Sequence, residues 1–214
     1  CNVSKTFYQF CKPITALKNI NLNLKQGEIV GLVGANASGK STLIKAITGH
    51  FKFKGKILLN GHDNMNKRFQ TKKELGTFIC NEFKPYARLT VYENIRYFSS
   101  LRMLNEKQII ERISYLLKKF EIYQYRNTQV RFLSSGIKVR VGLVIHLLDK
   151  PIWFLLDEPT LNIDNATKEL LIDILKGSHH KIAEGILIAS HDYNFILRVC
   201  NRMVLLHEIG RAHV

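Results

Sequence analysis

The chain has 214 residues, 46% hydrophobic and 23% charged, which is the size and balance of one globular domain with a sizeable core. Its longest apolar stretches, such as Ile152–Leu156, are far too short to cross a bilayer, so any span must come from another chain. The 32 Lys and Arg against 17 Asp and Glu leave a formal charge of +15, which suits polyanions or simply reflects a Lys-rich chain. The basic residues are scattered singly (Lys52, Lys54, Lys56, Lys72, Lys73, Lys118, Lys119), without an arginine-rich arm, so charge alone decides nothing. Cys1, Cys11, Cys80 and Cys200 show no C-x-x-C spacing, which argues against zinc or a disulfide framework and fits a reducing cytosol.

In chain order, Cys1 falls inside an expected first strand. Glu28–Val33 is a short apolar run that predicts a buried strand. It leads directly into Gly34-Ala35-Asn36-Ala37-Ser38-Gly39-Lys40-Ser41-Thr42, which matches G-x-x-x-x-G-K-[ST]. That loop cradles phosphates with its backbone N–H groups, with Lys40 reaching the β- and γ-phosphates and the Ser41 hydroxyl placed for Mg²⁺. A helix is predicted from Ser41 to His50, its positive N-terminal end facing the phosphates. Lys56–Asn60 followed by Gly61 predicts a strand and a turn. From about 86 to 145 the pattern is helical; Asn105–Gln108 has capping-box spacing, and Ile109, Ile110, Ile113, Leu116, Leu117 and Phe120 mark one helix face.

Ile152–Leu156 and Gly185–Ala189 are continuous apolar runs of the kind found in parallel sheets covered on both faces. Strands alternating with helices predict an α/β fold with ligand at the carboxyl ends of the strands. Asp157 then emerges at that edge, able to hold Mg²⁺ through water, with Glu158 beside it as candidate general base. Val204–Leu206 predicts a closing strand. The last seven residues, Glu208–Val214, lack apolar periodicity, and their back-translation is similar to a common sequencing adapter. They are expected to lie outside the native fold.

Leu133-Ser134-Ser135-Gly136, standing between the phosphate loop and Phe154–Thr160, makes the chain resemble the nucleotide-binding subunits of ABC transporters over nearly its whole length. The resemblance implies a P-loop ATPase core with a mostly parallel sheet (about 1–85 and 146–207) and an inserted helical subdomain (about 86–145). It implies ATP and Mg²⁺ as ligands. His191, in Ser190-His191-Asp192, matches the switch histidine that contacts the γ-phosphate. Phe7 matches the aromatic that stacks on adenine, although Tyr8 and Phe10 compete. Ser134, Ser135 and Gly136 match the signature that binds ATP held by an opposite subunit, with Ser135 and Ile137 departing from the usual LSGGQ. Asp164 matches an Asp at the dimer interface. The loop that normally carries a Mg²⁺-contacting Gln points to Asn81, with its neighbours, including Glu82, in competition. His146, His179 and His180 have no assigned role.

The implied partners are a membrane-spanning permease at the cytoplasmic face of the cell membrane and a second ATPase subunit, as a homo- or heterodimer. No nucleic acid is expected. Leu89–Phe98 resembles export subunits. Two other readings compete: an ABC ATPase acting on nucleic acid or ribosomes, and an iron–sulfur assembly ATPase. Only the +15 charge supports the former, since just 94 positions separate Lys40 from Ser134, too few for the long coiled coils of DNA-repair relatives. Nothing specific favours the latter.

Overall fold

The computed structural model describes residues 1–63, 74–177, 182–207 and 211–213. Lys72, Lys73, His179 and His180 lie outside them. The chain opens with an antiparallel ribbon, β1 (Val3–Gln9) and β2 (Lys12–Ile20), where the sequence alone predicts one strand. The buried strand expected before the phosphate loop is β3 (Ile29–Val33), and the helix after it is α1 (Lys40–Ile47). The strand expected over 56–60 is shorter, a two-residue ribbon of β4 (Leu58–Leu59) with β5 (His62–Asp63).

Strand β6 (Leu75–Ile79) precedes a helical stretch of α2 (Val91–Leu101), α3 (Glu106–Lys119) and α4 (Ser135–His146). Residues 86–145 contain no strand. Helix α2 starts at a capping box: the Thr90 hydroxyl accepts from the Glu93 N–H, and the Glu93 carboxylate accepts from the Thr90 N–H. This T-x-x-E signature is a second helix start legible in the sequence. On α3, Ile109, Ile113, Leu116, Leu117 and Phe120 are buried as expected. Ile110 is a correction: it is 47% exposed, because a residue directly after Ile109 lies about 100° around the helix and leaves the core stripe.

The rest of the chain is β7 (Trp153–Asp157), α5 (Asn165–Lys176), β8 (Gly185–Ala189), α6 (Tyr193–Val199), β9 (Arg202–His207) and β10 (Arg211–His213). Six strands form one sheet in the order β10-β9-β3-β8-β7-β6, parallel except for β10. The terminal stretch expected to stand outside the fold thus supplies an edge strand here, with Arg211 paired to His207 and His213 to Leu205.

Burial on both faces explains the unbroken apolar runs of β7 and β8. Phe154, Leu156, Ile186 and Ile188 face the helices α2–α6. Leu155, Leu187 and Ala189 pack with α1 and the β1–β2 ribbon. On the helical side, α4 lies against β6 so closely that a Cβ on Gly142 would stand 2.8 Å from Phe83 Cδ1 and closer still to the Phe78 ring. Gly142→Ala is therefore expected to destabilise the chain by roughly 1–3 kcal/mol through overpacking. The urea midpoint measures this, and an unchanged midpoint would show that the helix has room to move.

Candidate ATP site

Parallel pairing brings four strand ends to one level. Ile79 pairs with Asp157, Asp157 with Ala189, and Leu32 with Ala189. The ladder continues one step beyond the strands, with the Cys80 N–H donating to the Asp157 carbonyl and the Glu158 N–H to that of Ala189. The loop after β3, residues 80–82, Asp157–Glu158 and Ser190–His191 therefore share the carboxyl edge of the sheet.

The phosphate loop needs its glycines. Gly34 has φ +155°, and a Cβ there would approach Ser38 Oγ at 2.7 Å; Gly39 has φ +99°, with Ala16 O at 2.6 Å. Ala37 sits at φ +64°, so the position that the motif leaves open favours glycine here. Lys40 is 6% exposed, and its ammonium donates to the carbonyls of Gly34 (2.7 Å) and Ala35 (3.0 Å). Its charge is held inside the loop's own ring. Ser38 Oγ is buried without a hydrogen-bond partner among the described residues.

Asp157 is buried, and its Oδ1 also has no hydrogen-bond partner among the described residues. Burial raises its pKa, Ser41 as a hydrogen-bond donor opposes this, and the Glu158 charge adds to the rise. An acidic oxygen without a partner, a hydroxyl next to it and a glycine-lined loop suit a divalent cation held beside a polyphosphate. Proton and cation would compete for Asp157.

Glu158 adopts the left-handed conformation, φ +51°. Its Oε2 accepts from His191 Nδ1 (2.8 Å), from Ser190 Oγ (3.2 Å) and from the His191 N–H (3.3 Å). The carboxylate accepts only, which fixes Nδ1 as the donor. Ser190 is fully buried and also accepts from the Asp192 N–H at 3.1 Å, so it ties the base to the loop that carries His191. Asp192 in turn caps α6 through the Phe195 N–H and pairs with Lys168 of α5 at 2.5 Å. Sequence reasoning missed Ser190 and Lys168. A serine between a strand end and the histidine was the only available signal.

Asn81 is exposed, while its competitor Glu82 forms an ion pair with Lys45 on α1 at 2.5 Å. Phe7, 39% exposed, meets Phe51 edge-on at 5.3 Å with the Lys5 ammonium over both rings; Tyr8 and Phe10 are far more exposed. Ser134 caps α4, its hydroxyl accepting from the Ile137 N–H, and Ser134 and Ser135 face outward. Gly136 is buried against the start of α5, where a Cβ would lie 2.6 Å from Thr167 Oγ1 and 2.8 Å from Asp164 Oδ2. Asp164 caps α5 through the Thr167 N–H at 2.8 Å, which holds its carboxyl below the usual range. His146 is a packed core residue: burial pushes its pKa down to about 4, and it bonds to the Gly142 carbonyl.

The family model for ABC transporters matches residues 17–161. The chain is 28% identical to the ABC transporter ATP-binding protein NatA of Bacillus subtilis, over 96% of this chain and 83% of that one. It is 32% identical to a probable sulfate/thiosulfate import ATP-binding protein, CysA, of Chlorella vulgaris, over 99% of this chain and 89% of that one. Among solved structures, a bacterial ABC transporter cassette in dimeric form superposes with a TM-score of 0.86 at 26% identity, over all of this chain and 95% of that one. The same cassette in a post-hydrolysis state with ADP and Pi gives 0.82. A phosphate loop, an acidic strand end and a Glu–His pair on one sheet edge, within a chain similar to these cassettes throughout, identify an ATPase: the chain belongs to the ABC transporter family of ATP-binding subunits.

Proposed function

We propose that this chain hydrolyses Mg-ATP in a head-to-tail dimer with a second ATPase subunit and so powers a membrane permease docked at the cytoplasmic face. The observation that carries this is the Glu158–His191 pair beside Asp157 and the phosphate loop. Arriving phosphates take Lys40 from the Gly34 and Ala35 carbonyls, and the ammonium then faces the β- and γ-oxygens. Ser41 and Asp157 would hold Mg²⁺, which would supply positive charge against the negative charge developing on the phosphates. Oε2 of Glu158 is occupied by Ser190 and His191, so Oε1 is the oxygen that takes the proton from the attacking water. With Nδ1–H given to Glu158, His191 would donate from Nε2 to a γ-phosphate oxygen as the imidazolium, in which both ring nitrogens are donors. The outward Ser134 and Ser135 suit ATP on the opposite subunit, with Asp164 at the same interface. Phe7 is the proposed adenine platform. Asn81 is one methylene shorter than Gln, so its contact with the metal would be either lost or bridged by water.

For direction we propose export, resting on the resemblance of Leu89–Phe98 to export subunits. The import role in the name of the CysA relative favours the opposite direction. Uptake against extrusion of a labelled solute by cells that carry the permease decides between them. No helix among the described residues is long and apolar enough to cross a membrane, in keeping with a separate permease.

The permease site we propose lies within Asn81–Phe98. Phe83 is part of the core there, packed on Phe78, Phe98 and His146, whereas Tyr86 is 49% exposed and shares a hydrogen bond with Tyr97. Tyr86→Ala with Arg88→Ala should keep basal hydrolysis and weaken co-purification with the permease; equal loss of both would mean core damage. Lys40→Ala should slow hydrolysis by roughly 10²–10³, the usual effect of losing one fixed charge at developing phosphate charge. Phosphate release at saturating ATP measures it, and near-normal turnover would remove the phosphate-loop reading. Glu158→Gln should bind ATP, hardly hydrolyse it, and convert to a stable dimer in light scattering. A monomer at high concentration with ATP bound would count against the shared site.

A further inference from the structure

We propose that a groove on the β1–β2 ribbon is a second anion site, distinct from the phosphate loop, that takes a phosphate-bearing ligand. The first 60 residues contain nine lysines, one glutamate, no aspartate and no arginine. That glutamate, Glu28, is already paired with Arg202 of β9 at 2.7 Å. Of the lysines, Lys40 serves the phosphate loop and Lys45 pairs with Glu82. Lys5, Lys18, Lys52 and Lys54 converge on one groove of about 620 Å³, which no acidic side chain and no residue of the phosphate loop lines. Lys18, Lys52 and Lys54 are exposed and have no ion pair among the described residues.

The backbone beneath these ammonium groups is fixed. Ser4 and Lys54 exchange two backbone hydrogen bonds of 2.9 Å, and the Lys5 ammonium donates to the Lys52 carbonyl at 2.7 Å. The cations are therefore gathered by strand pairing, despite their mutual repulsion, and a bound anion relieves that repulsion. Thr6 and Thr15 add hydroxyl donors, and Tyr8, 78% exposed, offers a ring face for a base or sugar. The volume is that of a nucleotide-sized ligand. Soluble polyphosphates and the headgroups of anionic lipids share this chemistry.

The test compares wild type with a groove variant (Lys18→Glu, Lys52→Glu, Lys54→Glu) and a charge-matched control (Lys118→Glu, Lys119→Glu, Lys176→Glu). Calorimetric titration with inorganic tripolyphosphate should give two equivalents for wild type and the control. The groove variant should keep one equivalent, and Lys40→Ala should lose the other, so that the two sites are scored separately. Sedimentation with phosphatidylglycerol vesicles reads the lipid source. A loss of at least roughly tenfold in either assay, confined to the groove variant, supports the site and names its source, as expected for removing several charge-assisted contacts. Equal loss in the control, or no loss in the groove variant in both assays, overturns it. ATP hydrolysis at the wild-type rate certifies the fold. Should the reversal variant fail to fold, Lys18→Gln with Lys52→Gln and Lys54→Gln replaces it under the same criteria.

Discussion

Everything at the nucleotide edge depends on the hydrogen-bond register of parallel strands. In a parallel ladder the carboxyl ends of neighbouring strands lie on one side, and the loop after each strand emerges there. Pairing of Ile79, Asp157, Ala189 and Leu32 in one row places the loops after four strands within reach of one triphosphate. A slip by one residue in β7 would turn Asp157 from the α1 side of the sheet to the other and separate it from Ser41. The apolar runs of β7 and β8 prevent that slip, since each alternate residue already fills one of two cores.

Two residues at this edge hold backbone conformations that side chains disfavour. Ala37 and Glu158 both have positive φ. At Glu158 the surroundings hold the geometry: the N–H is fixed by the Ala189 carbonyl and the carboxylate by Ser190 and His191. Strain of this kind, of order 1–3 kcal/mol per residue, persists where neighbours fix the geometry from several sides.

The sequence was most readable where physics acts locally. β3 and β8 were legible from apolar runs, and α1 from the loop that precedes it. The site roles came from motif and resemblance, with chemistry that fits them. What escaped required distant partners. The β1–β2 ribbon is mostly exposed, with exposed aromatics such as Tyr8 and Phe10, so it carries no clean alternation. The Lys168–Asp192 and Arg202–Glu28 pairs join residues far apart in the chain, and no pattern encodes them. Ile110 misled because a run of two isoleucines satisfies a helical stripe at only one of them. Asn81 and Glu82 were ambiguous by counting, and only the ion pair with Lys45 distinguishes their surroundings.

The strand order has a consequence for how the protein is made. β3, which delivers the phosphate loop, lies between β8 and β9, and Val33 pairs with Leu205. A ribosome adding about 5–20 residues per second completes those flanking strands only several seconds or more after β3 has emerged. Until then β3 exposes apolar side chains and two unpaired edges, the condition in which nascent chains associate with one another. Contacts of such high sequence separation also make closure of the central sheet slow. Nucleotide therefore meets a formed loop only once the chain has been extended through β9.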